Sequence, residues 1–495
     1  MPVPQRGDEA GLFGRHVRKC EKLVESMEHS FMEILWEHRK RYPLMEPQDY
    51  GKLIFQSVYG PEHMITDVQE VRAYMAEEFS HMAQDALPKV PEDIGNGLCR
   101  FPLCACPSAE AAELLADLFV LTAGQDDVID GGKNHTGLIK RDAALRQGGV
   151  TDGGKKLTGL IKRDAALEQG SVSNAEKKSR LSEELQGKLE QVKTLGIPGM
   201  EAWVQQWKEK GYPAVHHSRA YREAYHPHYR LLRKEYAVYF PVLWEIYQLA
   251  MEGKRDIVKE HVVLSRKQEA VSGQEQEAAS GRKQEAASGQ EQGTASGRKQ
   301  EAASSQEQTA ASGQEQTEKR GSRHKGPVIV GMDGRCGSGK TSLAELIAGI
   351  FPCNVVHTDD FYLPMEEREE NWTEIPGGNM DFARLHSEIL IPARSGDEVL
   401  YRPYCCQEGA YGEALRLAPC PLLVVEGSYS HYPLLAEAYD LKVFLTCSQE
   451  VQKRRLQERE GSYFTMFEKR WIPMEENYFH HFDVEAGSDL VVRTG

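Results

Sequence analysis

The chain contains no run of about 18 uncharged apolar residues, the length a helix needs to cross a bilayer. Its best stretch, Ala105 to Gly124, is interrupted by Glu110, Glu113 and Asp117. The opening residues, MPVPQRGDEAGLFGRHVRKCEK, lack the apolar core of a secretory signal. Nor is positive charge in excess: 60 Lys and Arg stand against 75 Asp and Glu, a formal net charge of -15. That balance argues against coating nucleic acid or an anionic membrane, while leaving room for a local basic pocket. Cysteine is sparse, 10 in 495 residues. The close pairs Cys104/Cys106 and Cys405/Cys406 lack zinc-ribbon spacing. Neither a disulfide scaffold nor a zinc ribbon fits. A reduced, cytoplasmic protein with no nucleic-acid or membrane partner is expected; a homo-oligomer is allowed.

Aromatic residues are missing from one long segment. From Ser265 to Lys325 there is no Phe, Trp or Tyr, and Val271 is the only branched aliphatic residue. RKQEAVSGQEQEAASG, RKQEAASGQEQGTASG and RKQEAASSQEQTAASG begin at Arg266, Arg282 and Arg298, a period of 16. A solenoid repeat needs an apolar face to bury on its neighbour, and these have none. Residues 259–325 therefore read as a disordered repeat linker, spanning roughly 40 Å root-mean-square as a flexible chain. A second duplication, TGLIKRDAAL at Thr136–Leu145 and again at Thr158–Leu167, reads as a tandem insertion in a surface loop near 133–170.

The remainder of residues 1–258 has helical periodicity. Phe13, Val17, Cys20, Val24, Met27, Phe31 and Leu35 recur at three- and four-residue steps. So do Leu181, Leu185, Leu189, Val192 and Leu195, and then Leu232, Tyr236, Tyr239, Leu243 and Tyr247. Pro241 should kink that last run or open a new helix. A mainly α-helical domain is expected. Gly95-Asn96-Gly97 signals a turn. Two polar clusters stand out: Glu46-Pro47-Gln48-Asp49 with Gln56 and Gly60-Pro61-Glu62-His63, and His216-His217 with Tyr225-His226-Pro227-His228-Tyr229-Arg230. Histidines and acids at this density suit a metal, acid–base chemistry or simple packing, and the pattern does not choose.

Residues 326–495 change rhythm. Apolar runs at 327–333, 354–358, 422–427, 441–447 and 489–494 alternate with amphipathic ones, which predicts an α/β domain with a doubly wound parallel sheet. Directly after the first run stands Gly334-Arg335-Cys336-Gly337-Ser338-Gly339-Lys340-Thr341, which fits G-x-x-x-x-G-K-[ST] and leads into a helical pattern. Gly334, Gly337, Ser338 and Gly339 would let main-chain amides wrap a polyphosphate at a helix N-terminus. Lys340 would reach its outer phosphates and Thr341 would bind Mg²⁺. The expected cofactors are ATP and Mg²⁺. Cys336 reads as a small filler or as a thiol activated by the helix.

No N-K-x-D guanine box or L-S-G-G-Q signature occurs, and the third run ends in the single acid Glu426, placed to hold Mg²⁺ through water. An ATPase switch becomes the minor reading, with ATP binding reorienting the N-terminal half. Transfer to a hydroxyl needs a base near the outermost phosphate. His357-Thr358-Asp359-Asp360-Phe361-Tyr362 ends the second strand beside the P-loop, so Asp359 is the expected base and Asp360 the alternative. Arg454, Arg455 and Arg459, on one amphipathic pattern, could close over the nucleotide and offset charge developing during transfer.

GRCGSGKT, HTDDFYLP, LLVVEGSYSHYP, the arginine-rich helix and the closing DLVVRT resemble, in that order, the uridine kinase/phosphoribulokinase group of P-loop kinases. The resemblance covers most of residues 326–495 and implies a nucleoside-like small-molecule acceptor. It implies Asp359 as base, Glu426 at the metal, and Arg454, Arg455 and Arg459 in a lid. PGGNMDF at 376–382 and YRPY at 401–404 look like acceptor loops of a uridine kinase-like subgroup, which makes Asn379, Asp381, Arg402 and Tyr404 candidate substrate contacts. In that group a Tyr-Asp with a following His and Arg reads the base; here Tyr404-Cys405-Cys406-Gln407-Glu408-Gly409 stands instead. A nucleoside, nicotinamide riboside, pantothenate and a phosphorylated sugar all stay open as acceptors.

Overall fold

The computed structural model describes residues 30–61, 68–82, 90–124, 174–253 and 326–495. The 16-residue repeats, both TGLIKRDAAL copies and the periodic residues Phe13 to Met27 lie outside these. The described residues up to Gln248 and those from Gly326 onward form one compact unit. Among the described residues no helix is long and apolar enough to cross a membrane.

The N-terminal part is built from helices α1 (Phe31–Arg41), α2 (Pro47–Tyr59), α3 (Val68–His81), α4 (Ala109–Gly124), α5 (Asn174–Lys193), α6 (Met200–Glu209), α7 (Arg219–Tyr225) and α8 (Lys234–Gly253). Sequence chemistry sets several of their starts. Ser30 and Glu33 form a capping box at α1, Pro47 opens α2 where no amide donor is needed, and the Ser218 hydroxyl caps α7.

Set among these helices is a three-stranded antiparallel sheet, β1 (Glu92–Gly95), β2 (Leu98–Pro102) and β3 (Tyr229–Arg233), in the order β1-β2-β3. A purely helical reading misses it because its strands are short and β2 is buried at every position, so it lacks the alternation of a half-exposed strand. Gly95-Asn96-Gly97 is the β1–β2 turn, with all three residues at positive φ. Leu232, read as the start of a helical run, lies in β3; the helix begins at Lys234 and continues unbroken past Pro241.

The C-terminal part holds a five-stranded sheet of β4 (Val328–Gly334), β5 (Cys353–His357), β10 (Leu422–Glu426), β11 (Leu441–Thr446) and β12 (Leu490–Arg493), in the order β12-β11-β4-β10-β5. Every pairing is parallel, so all five strands end on one edge. The central three are apolar and buried almost throughout, as expected of strands covered on both faces. The strands begin and end within a residue or two of the apolar runs in the sequence. Between β5 and β10 come α10 (residues 382–395, with a π-helical middle at Leu385–Leu390) and the short ribbons β6 (Val399–Tyr401) with β9 (Leu415–Leu417) and β7 (Tyr404–Cys405) with β8 (Ala410–Tyr411). Helix α9 (Lys340–Ile350) follows β4. After β10 come α11 (Pro433–Ala436), α12 (Gln449–Glu460) and α13 (Ile472–His481).

Candidate active site

The turn from β4 into α9 is possible only with glycine. Gly334 has φ +136, and a Cβ there would come 1.9 Å from the Leu445 carbonyl oxygen. Asp333, fully buried, braces the same turn. It accepts hydrogen bonds from the Gly334, Tyr429 and His431 amides and the Tyr478 hydroxyl. Gly427 makes the matching approach at the end of β10, where a Cβ would meet Thr358 Oγ1 at 1.9 Å. The loops after β4, β5 and β10 are thereby pressed together. Strand β10 lies between β4 and β5, so Asp359 reaches the P-loop across the β10 edge and not from an adjacent strand.

Within this group Lys340 Nζ donates to the Gly334 and Arg335 carbonyls at 2.6 and 3.0 Å. Thr341 Oγ1 lies 3.1 Å from Glu426 Oε1, and His357 Nδ1 meets that same oxygen at 2.6 Å. The His357 contact raises its imidazole above the ordinary value. Burial works against the Glu426 anion, but the His357 hydrogen bond and the nearby charges outweigh it and hold that carboxyl low. Magnesium sites of this kind use one or two protein oxygens and take the rest from phosphates and water. Thr341 and Glu426 fit that donor set, and a glycine-lined turn ahead of the α9 N-terminus fits a polyphosphate. Among the described residues, no cluster of three or more His, Cys, Asp or Glu is arranged to hold a metal by itself.

Asp359 opens toward solvent at the mouth of the group, yet surrounding protein crowds it. That crowding raises its carboxyl above the usual range, opposed by a 2.9 Å hydrogen bond from the Tyr362 hydroxyl. Lys340, Glu426 and His357 all act on it through space. Asp360 is raised for the same reason and receives the Tyr401 hydroxyl at 3.1 Å.

The three arginines separate. Arg455 donates to the Gly337 carbonyl at 3.1 Å and to Thr494, so it supports the P-loop from behind. Arg459 pairs with Glu460 and lies over Phe467, and its charge reaches Cys336. Arg454 is exposed. The substrate candidates separate as well. Asp381 caps α10 by accepting from the Arg384 amide, and Arg402 ties its own hairpin through the Gly412 and Tyr411 carbonyls. Tyr404 is buried against Tyr411. Asn379 differs: it is fully buried with both side-chain polar atoms unpaired, next to Met380, which bridges to Tyr362.

Several residues that sequence reading passed over belong here. Glu475 of α13 is buried and accepts from the Cys336 amide and the Ser428 hydroxyl. Glu476 beside it pairs with Arg335 at 2.6 Å. Their only signal is a pair of acids on a helix more than a hundred residues from the P-loop. Burial, with Glu475 nearby, pushes the Cys336 thiol up, which is the opposite of the shift an activated nucleophile needs.

No family model matches the chain. A uridine kinase of Streptococcus mutans is 27% identical over 188 residues, covering 34% of this chain and 88% of its own length. A solved structure described as a possible uridine kinase, from Bacillus stearothermophilus, is 18% identical with a TM-score of 0.28, covering 34% of this chain and 89% of its own. A Silicibacter protein assigned as a fructose transport system kinase is 20% identical at TM-score 0.28, covering 34% and 91%. About a third of the chain is thus similar to uridine kinase-like P-loop kinases.

Proposed function

We propose that this protein transfers the terminal phosphoryl group of ATP to a hydroxyl of a small molecule, with a nucleoside as the leading acceptor. The observation that carries this reading is the meeting of Lys340, Thr341, Glu426 and Asp359 at one edge of a parallel sheet. That is a lysine, a metal-binding pair and a base candidate drawn from three strand ends. ATP supplies the phosphoryl group and Mg²⁺ offsets its charge when both are bound. Lys340 exchanges its two carbonyl partners for phosphate oxygens. Thr341 and Glu426 hold the metal, with His357 fixing the Glu426 carboxylate. Asp359 takes the proton of the attacking hydroxyl while Tyr362 steadies its other oxygen. Asp360 is tied to Tyr401, which favours Asp359 for that role. Arg455 keeps the P-loop shaped, and the buried, unpaired Asn379 amide would meet an acceptor once the loop that covers it opens.

The test incubates purified full-length protein with ATP and Mg²⁺ against nucleosides, nicotinamide riboside, pantothenate and sugar phosphates. A phosphorylated acceptor is expected. ATP loss that is independent of every acceptor, with no such product, would overturn the kinase reading in favour of a nucleotide-dependent switch. One contact favours that second reading: the Tyr239 hydroxyl of α8 donates to the Gly339 carbonyl at 3.2 Å, so a helix of the N-terminal part touches the P-loop itself.

A further inference from the structure

Away from the P-loop, Asp49 and Gln56 of one polar sequence cluster and His217 and Tyr229 of the other meet Arg100 in one hydrogen-bonded chain that runs in a single direction. Arg100 of β2 donates Nε and Nη2 to Gln56 Oε1 at 3.0 and 2.7 Å. Gln56 Nε2 donates to the Tyr229 hydroxyl at 3.3 Å. Tyr229 meets His217 Nε2 at 2.7 Å, and His217 Nδ1 meets Asp49 Oδ1 at 3.0 Å. Asp49 is also filled by the Ser218 amide and hydroxyl and the Glu46 amide. Burial holds His217 down, to about 3, so it is neutral: it gives its Nδ1 proton to Asp49 and accepts from Tyr229. Each polar group along this chain has a partner except one. Arg100 is 1% exposed, and its Nη1 has none.

Arg100 also lies over the Tyr229 ring at 4.8 Å, and Glu92 and nearby tyrosines favour its charged form against burial, yet none of them takes up Nη1. Glu92, which acts on Arg100 through space, is already taken by Arg41 and Tyr42. Among the described residues no carboxylate makes an ion pair with Arg100. Lys52 lies between Asp49 and Gln56 on the same face of α2, half-buried, with no hydrogen bond to a described residue. Burial and the charges of Arg100 and Arg222 press its ammonium down to about 8, against the opposing pull of the Asp49 carboxylate. A buried guanidinium and a half-buried ammonium that repel one another cost far more than paired charges do. An anion between them removes that cost, and a guanidinium edge suits the oxygens of a carboxylate or phosphate.

We propose that the N-terminal part holds a second ligand site, in which Arg100 Nη1 and Lys52 bind the phosphate or carboxylate group of a small molecule. The rest of the chain, Gln56 to Asp49, positions Arg100. This reading is independent of the kinase proposal.

The test uses the full chain carrying Lys340→Ala, which weakens phosphate capture at the P-loop. It is titrated calorimetrically with inorganic phosphate and, separately, with acetate. One of the two probes should bind at one equivalent, which also identifies the group. Adding Lys52→Met should weaken that binding at least about tenfold, and adding Arg100→Gln should abolish it. Should Arg100→Gln fail to fold, as read by circular dichroism, the Lys52→Met arm decides alone. Binding of neither probe, or binding equally tight with and without Lys52→Met, would overturn the site.

Discussion

The P-loop group and the Arg100 chain are both buried polar assemblies, yet they are built in opposite ways. At the P-loop, eight consecutive residues and two strand ends supply the chemistry, and a parallel sheet delivers every strand end to one edge. The Arg100 chain instead takes one or two residues each from α2, β2, β3 and the entry to α7, hydrogen-bonded across up to 173 positions. The first is a contiguous motif held open by glycine. The second is a closed network, satisfied everywhere except at its cationic end. What distinguishes them is how a ligand would be met: in one case by contiguous main chain and a lysine that must release its carbonyl partners, in the other by a single unpaired side-chain edge.

Changes at the two places should therefore act differently. The largest effect is expected at the catalytic edge: Lys340→Ala and Asp359→Asn should each lower phosphoryl transfer at least about a hundredfold, measured as initial rates with the acceptor found in the screen. Full activity in Asp359→Asn would remove the base assignment. Next is Asp49→Ala in the Arg100 chain. It leaves His217 and Ser218 without their acceptor and should cost about 2–4 kcal/mol of stability, read by urea denaturation, with no direct contribution to the transfer step.

The pH profile sharpens the contrast. Asp359 must be anionic to accept a proton, and crowding raises its pKa. Activity should thus fall on acidification starting at a higher pH than an ordinary aspartate near about 3.9 would give. The Arg100 chain carries no such limb, because His217, held down to about 3, stays neutral across that range. A profile flat down to the ordinary aspartate range would break this account of Asp359. Among the acceptor loops, Asn379→Ala should raise KM for the acceptor about tenfold with a smaller change in kcat. Asp381→Ala, which removes only a helix cap, should cost about 1 kcal/mol of stability and leave KM in place. The smallest effect is expected at exposed Arg454, where alanine should change the rate less than about threefold, whereas Arg455→Ala, by freeing the Gly337 carbonyl, should cost more.

How much could be read in advance follows from the same contrast. The five strands of the C-terminal sheet were legible because strands covered on both faces are written as apolar runs. The P-loop was legible because its chemistry is contiguous. The N-terminal sheet was not: β2 is five residues long and buried throughout, and β3 runs straight into α8, so Leu232 joined a helical period that begins two residues later. The local bonds of Asp381 and Arg402 were also hidden, since a loop aspartate or arginine reads the same whether or not it also binds its own backbone.

The sequence by itself determined a glycine-rich turn of P-loop pattern, the acids at the ends of other strands, and the α/β architecture that brings them to one edge. Each is a local pattern whose backbone consequence is nearly unique. Only the tertiary structure decided that β10 separates β4 from β5, that Glu475 reaches the P-loop amide, and that Asp49, His217, Tyr229 and Gln56 form one line ending on Arg100. Hydrogen bonds between distant segments depend on which faces pack together, and packing is settled by the whole core and not by any stretch of it.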